Sequence, residues 1–248
     1  MRYLLPFGLV ASILLGVGAC GEPTSRDIRD YYFPLKELTS GRVYEYRDTR
    51  YDSLSPDYWY YLAVPTDSAW FFTKTYYQAD YLPRGLYREK VVGNGLLLDA
   101  LTLYEFDSTG TTLATEATIL GNNVFPFEVR GVDDIYIYQV RFQLPSQPHG
   151  STTVLINRRF AGDTTYTWKG QTYPAVYFTL VGSVDQRDSI AGAIEPQFTG
   201  KEIYAKGVGL VWYERHFSEG GPSLQYQLTN QLPMSELEQK AKELWQAE

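Results

Sequence analysis

The sequence predicts a mainly β protein: a single antiparallel sheet curled into a half-barrel, or a barrel or sandwich, with an amphipathic helix at its C-terminal end. Three observations predict this. From Arg42 onward, short segments of alternating polarity recur about every 8 to 14 residues between turn residues. Aromatic residues, which suit strands, are abundant, with 22 Tyr, 12 Phe and 5 Trp among 248 residues. Only the last segment carries the apolar period of a helix.

The elements follow in chain order. Arg2 precedes Tyr3 to Ala19, a stretch without charged side chains that centres on Leu9-Val10-Ala11-Ser12-Ile13-Leu14-Leu15. This matches the positive and apolar regions of a secretory signal and is short for a stable span of about 20 residues. It ends in Val17-Gly18-Ala19-Cys20, which resembles the lipobox of bacterial lipoproteins. There the small residues admit the signal peptidase, and the thiol takes a diacylglycerol. The resemblance implies that residues 1–19 are a lipoprotein signal peptide and that Cys20 is lipidated, carrying palmitate-type acyl chains. Cys20 is the single Cys of the chain and would otherwise be an unpaired thiol in an oxidising compartment. Several acyl chains make a stable membrane anchor. Gly21 follows the Cys where an Asp would signal inner-membrane retention, so the sorting rule of such lipoproteins implies the outer membrane. Whether the domain faces the periplasm or the exterior stays open. Residues 20–33, polar from Gly21 to Asp30, are expected to be the lipidated Cys and a flexible tether.

Residues 34–231 form the antiparallel β domain. Within Ile135–Phe142, the residues Tyr136, Tyr138, Val140 and Phe142 share one face, opposite Gln139 and Arg141. Val176, Phe178, Leu180 and Val184 align likewise, as do Leu224, Tyr226 and Leu228. Turns are written at Gly93-Asn94-Gly95, Asp107-Ser108-Thr109-Gly110, Gly121-Asn122-Asn123 and Glu219-Gly220-Gly221-Pro222. About a dozen strands result, linked mainly by hairpins. Tyr58–Val64 and Trp70–Phe72 are apolar on both faces, as in a strand covered on both sides or one whose second face awaits a ligand. Gly207 and Gly209, two apart, are expected on one face of a strand, as a bend in the sheet or the floor of a groove. Residues 232–248 make the helix, which should pack on the β domain. Pro233 stops the sheet, Ser235 and Glu238 have the spacing of a capping box, and Leu237, Ala241, Leu244 and Trp245 form one apolar stripe.

Several stretches resemble a family of Bacteroidota lipoproteins of unknown function. They are Tyr32-Phe33-Pro34-Leu35 with Val43-Tyr44-Glu45-Tyr46-Arg47, then Lys169-Gly170-Gln171-Thr172-Tyr173 with Ala175-Val176, and Ile203 to Val211. The resemblance implies a curved antiparallel sheet of the lipoprotein-carrier type. It implies no activity and carries over no functional residue.

Composition excludes several functions. A net charge of −7 argues against a nucleic-acid binder, which needs a basic stripe. One Cys and two His supply neither a disulfide framework nor a zinc cage. His149 sits in a proline-flanked loop, His216 alternates along a strand, and no Gly-x-Ser-x-Gly elbow occurs. The acids Asp133 and Asp134 belong to a turn, Glu195 stands alone, and Asp99 and Glu105 lie about 20 Å apart along one strand. No enzyme, cofactor or metal is therefore expected. The reading is a membrane-anchored cell-envelope lipoprotein acting as a non-catalytic binding or structural module. Its partner would be an envelope protein complex or an apolar, lipid-like ligand. Alternatives are a carbohydrate-binding lipoprotein that stacks sugars on Tyr and Trp, and a carboxylate-based glycosidase. Tyr58, Trp59, Tyr61, Trp70, Tyr76, Gly207 and Gly209 are the candidate ligand-binding residues.

Overall fold

Alternating polarity is realised as strands along almost the whole described chain. The computed structural model describes residues 25–247 apart from 52, 132, 133 and 219, so Cys20, the signal segment and Asp133 lie outside the described residues. The strands are β1 (Arg26–Asp27), β2 (Arg42–Asp48), β3 (Asp57–Pro65), β4 (Trp70–Tyr77), β5 (Pro83–Val92), β6 (Gly95–Phe106), β7 (Thr112–Glu116) and β8 (Thr118–Pro126). They continue with β9 (Glu128–Val129), β10 (Ile135–Phe142), β11 (Gly150–Trp168), β12 (Gln171–Asp188), β13 (Gly192–Ile194), β14 (Gln197–Ala205), β15 (Gly209–Phe217) and β16 (Ser223–Leu232), before helix α1 (Met234–Ala247).

The sheet closes into a barrel of twelve antiparallel strands. Its order is β11-β10-β8-β6-β5-β4-β3-β2-β16-β15-β14-β12, and β12 returns to β11 along its full length, from Gly150 opposite Asp188 to Trp168 opposite Gln171. This is more specific than the expected half-barrel, barrel or sandwich. Closure removes the edge strands that an open sheet would expose. Bulges at Phe160/Gly162, Ile203/Tyr204 and Leu228/Asn230 help the strands bend.

A barrel of this size has an interior wider than aliphatic side chains fill. That is what the aromatic residues are for. Tyr44, Tyr46, Tyr61, Phe72, Phe125, Phe178 and Tyr204 are all buried in one core. Their rings meet edge-on or stacked, with centroids 4.8 Å apart for Tyr44 and Tyr61, 5.6 Å for Tyr61 and Phe72, and 5.0 Å for Phe125 and Tyr204.

One end of the barrel is plugged by the chain's own N-terminal segment. β1 pairs with β9, and the Ile28 N–H donates to the Phe127 carbonyl at 2.7 Å. Tyr32 and Phe33, only 3% and 5% exposed, enter the aromatic core. Residues 26–33, expected as part of the tether, are thus folded. Their polarity misled, because two aromatic side chains suffice to anchor a short segment in so wide a barrel.

The outer wall at β2–β4 is covered by α1. Leu237 and Ala241 are buried, and Leu237 clusters with Val43, Tyr58, Tyr60 and Tyr77. The doubly apolar β3 is explained: Trp59, Tyr61 and Ala63 face the core, while Tyr58 and Tyr60 face the helix. The helix begins at Met234, so Ser235 lies in its first turn instead of capping it. The far end of the expected stripe outruns the wall: Leu244 is exposed, and Trp245 is 51% exposed with its Nε1–H donating to the Asp80 carbonyl at 3.2 Å.

Candidate functional site

The interior is not filled to the second end. A cavity of about 390 Å³ remains, lined by apolar side chains that include Leu101, Leu103, Val140, Phe142, Val154 and Ile156, and by Tyr32 and Phe33 of the plug. Leu103 and Phe142 lie near the ends of β6 and β10 opposite the plug and also line a surface pocket, so the cavity is reached from the unplugged end. Its volume lies within the range of small-molecule sites, about 300–1,000 Å³.

Five charged side chains stand in its wall: Lys74 on β4, Glu89 on β5, Arg158 on β11, Glu202 on β14 and Arg215 on β15. Each is two residues from an aromatic or aliphatic neighbour of the same inward face, so strand alternation alone aims it inward. They form two clusters. Glu89 takes the Tyr32 hydroxyl at 2.6 Å and an ion pair from Lys74. Glu202 accepts Arg158 Nε at 2.9 Å, Arg215 Nη2 at 2.6 Å and the Tyr204 hydroxyl at 3.0 Å. Arg158 also donates Nη1–H to the Val124 carbonyl at 2.7 Å. Burial alone would raise the Glu202 carboxyl, yet the two guanidinia overcome it and hold it at about 2. Burial, with Glu202 and Glu89 as negative neighbours, raises the Tyr204 and Tyr32 hydroxyls well above their usual value. At the margin, Asp57 accepts the hydroxyls of Tyr76 at 2.8 Å and Tyr213 at 3.0 Å. Burial raises its carboxyl against those hydrogen bonds.

The residues singled out from sequence are only partly brought together. Trp59 and Tyr61 line the cavity. Trp70 packs against the core without lining it, and Tyr76 stacks on Trp59 at 4.9 Å while binding Asp57. Tyr58 faces outward, buried beneath α1. An exposed sugar platform of these rings is therefore corrected: Tyr58 and Tyr61 are buried, on opposite faces of β3, because consecutive strand positions alternate.

Gly207 and Gly209 do not share a strand face. Gly207 sits in the turn between β14 and β15 with φ +73°, and its N–H donates to the Asp30 carbonyl at 2.9 Å. Gly209 opens β15 with φ +99°, and a Cβ there would come within 2.5 Å of the Phe33 ring. The groove floor exists, but the chain's own Phe33 occupies it.

The carboxylates considered for catalysis are dispersed. Asp99 pairs with Arg88, Glu105 accepts from the Ser146 N–H at 3.0 Å, and Asp134 takes the Tyr136 hydroxyl at 3.3 Å. Sequence reasoning missed the five charges of the cavity. Their signal was present as charge in phase with an apolar strand face: Lys74 with Phe72 and Tyr76, Glu89 with Tyr87 and Val91, and Glu202 with Phe198 and Tyr204. Among the described residues, no group of three or more His, Cys, Asp or Glu could hold a metal ion, and no helix is long and apolar enough to cross a membrane.

The barrel has solved counterparts. A candidate lipoprotein from Parabacteroides distasonis ATCC 8503 superposes with a TM-score of 0.52 at 13% identity, over 80% of this chain and 95% of that one. A candidate exported protein with a YmcC-like fold from Bacteroides fragilis NCTC 9343 gives 0.54 at 10% identity, over 81% of this chain and 98% of that one. The chain shares their barrel fold, in line with the resemblance to Bacteroidota lipoproteins of unknown function. No protein-family model matches the sequence, and no curated protein does.

Proposed function

We propose that this chain is a cell-envelope lipoprotein, anchored to the outer membrane through acyl chains on Cys20, whose barrel is a non-catalytic binding module for an apolar ligand. The observation that carries the binding reading is the interior cavity of about 390 Å³, open opposite the plug and walled mainly by aromatic and aliphatic side chains. The acids of the cavity are engaged instead of poised. Glu202, held at about 2 by two guanidinia, lies far from the pKa a general acid or base needs near neutral pH. The fold shared with a candidate lipoprotein and a candidate exported protein supports an envelope role. The lipobox at Val17 to Cys20 supports the anchor.

Native mass spectrometry of residues 21–248, purified from a bacterial periplasm without detergent, tests the binding reading. A lipid-sized adduct released by organic solvent is expected. A bare mass that stays bare after incubation with extracted envelope lipids sinks it. Cys20→Ser tests the anchor, and should leave the chain unacylated. A processed, acylated product from that variant would overturn the lipobox reading.

A second reading, docking of an envelope protein, has its own observation. Leu120, Ile135, Ile137 and Val181 are exposed on the outer wall that runs from β8 through β10 and β11 to β12. Cross-linking in the native envelope through Val181→Cys reads that surface directly.

A further inference from the structure

The geometry points to the ligand as a single-chain amphiphile with an anionic head, its alkyl body against the apolar wall and its head at Arg215. This rests on the binding reading above and names the chemistry of that same site.

The charge balance of the cavity is the first observation. Its wall contains three cations, Lys74, Arg158 and Arg215, against two acids, Glu89 and Glu202. Glu89 is matched by Lys74, but Glu202 serves two guanidinia. One positive charge in the cavity wall therefore lacks a counter-charge there. In a poorly solvated interior such an excess is costly until an anion offsets it. Asp57, which binds the cavity-lining Tyr213, does not itself line the cavity, and both its oxygens are taken by the hydroxyls of Tyr76 and Tyr213.

Accessibility is the second. Arg158 is buried with its Nε, Nη1 and Nη2 all donating. The Lys74 and Arg215 side chains keep 17% and 18% of their surface exposed, so they are the cations an entering group can meet. Lys74 is already matched by Glu89, whereas Arg215 shares Glu202 with Arg158, so the unmatched guanidinium of Arg215 is the group suited to a carboxylate or phosphate oxygen pair.

The third observation is the surface around the entrance. Tyr51 and Leu54 in the β2–β3 loop, and Ile190 and Ile194 at the β12–β13 hairpin, are exposed at the unplugged end. An apolar rim leading to an apolar wall with cations set into it matches an amphiphile better than a small hydrophilic anion.

Every element of the described residues lies between Arg26 and Ala247, so the chain from residue 21 keeps the whole barrel for titration calorimetry. The probes are dodecanoate, dodecanol, dodecyltrimethylammonium and acetate, each below its aggregation concentration. Dodecanoate should bind at least ten-fold more tightly than dodecanol, with the ammonium and acetate weaker still. Arg215→Gln should raise the dodecanoate Kd to that of dodecanol. If dodecanol or the ammonium binds as tightly as dodecanoate, the anionic head is refuted while the binding reading stands. Acetate binding as tightly as dodecanoate refutes the amphiphile. If no probe binds, both readings fall together. The wild-type panel decides even if Arg215→Gln does not fold.

Discussion

Replacing Glu202 by Gln tests the electrostatic account of the barrel interior. Glu202 is buried with Arg158 and Arg215 against it, at 2.9 and 2.6 Å. The isosteric amide keeps the shape but leaves both guanidinia without their counter-charge, and breaking a buried pair from one side costs about 3–5 kcal/mol. Titration leads to a similar figure. Moving the carboxyl from its ordinary 4.5 to about 2 corresponds to about 3 kcal/mol of folding free energy. The sign is that of a depressed acid: the contribution is fully present above about 4.5 and fades as pH falls towards 2. Urea unfolding of wild type and Glu202→Gln between pH 7 and pH 2 is the assay. The wild type should be more stable by about 3–5 kcal/mol at pH 7, with most of the gap closing between pH 5 and pH 2. Other depressed acids, such as Asp48 and Asp163, titrate in both proteins and cancel in the difference. A gap below about 1 kcal/mol at pH 7, or one that does not change with pH, would refute the reasoning.

Five further substitutions probe the plug and the helix. Gly209→Ala meets both a left-handed backbone and the Phe33 ring, whereas Gly207→Ala meets only the backbone term. Urea midpoints should show about 2–3 kcal/mol lost for the first and about 1 kcal/mol for the second, and equal losses would mean that Phe33 does not press on β15. Tyr32→Phe leaves Glu89 Oε2 without its 2.6 Å donor and should cost about 1–3 kcal/mol in the same assay. Leu237→Ala should lower stability by about 2–5 kcal/mol, and Trp245→Ala, half exposed, by under about 1 kcal/mol. The reverse order in thermal melts would show α1 docked on its other turns.

What was legible in the sequence was local. Alternation at Ile135–Phe142 and at Val176, Phe178 and Leu180 put the right side chains inward, because a strand has only two faces. Closure was not legible, since it depends on β12 pairing on one side with β11 and on the other with β14, a choice no single strand encodes. The abundance of Tyr was readable as β propensity but not as filler for a wide interior. Gly207 and Gly209 misled for a related reason. A turn centred on Lys206 to Val208 separates them, and the partner that needs their bare backbone lies far back in the chain, at Asp30 and Phe33. The charged cavity was half visible. Lys74, Glu89, Arg158 and Glu202 each sit in phase with aromatic or aliphatic neighbours, yet phase shows only that a charge points inward. Which charges meet follows from the closed order of the strands.

The same order bears on how the proposed anchor and the cavity are arranged. The described chain enters the barrel at the plugged end, where Arg26 pairs with Val129 and Asp30 binds Gly207 and Lys206. The residues between Cys20 and Arg26 reach at most about 20 Å when fully extended. Acyl chains on Cys20 would therefore hold the plugged end near the leaflet. The cavity is reached from the opposite end, past Leu103 and Phe142. A ligand would then be exchanged on the side facing away from the anchoring membrane, among the exposed Tyr51, Leu54, Ile190 and Ile194. This arrangement suits exchange with a partner or a second membrane. Site-directed spin labels at Ile194→Cys and Lys206→Cys on liposome-bound lipoprotein distinguish the two ends. Relaxation by a lipid-soluble agent should be strong at position 206 and weak at position 194, and the opposite pattern would place the mouth against the membrane that carries the anchor.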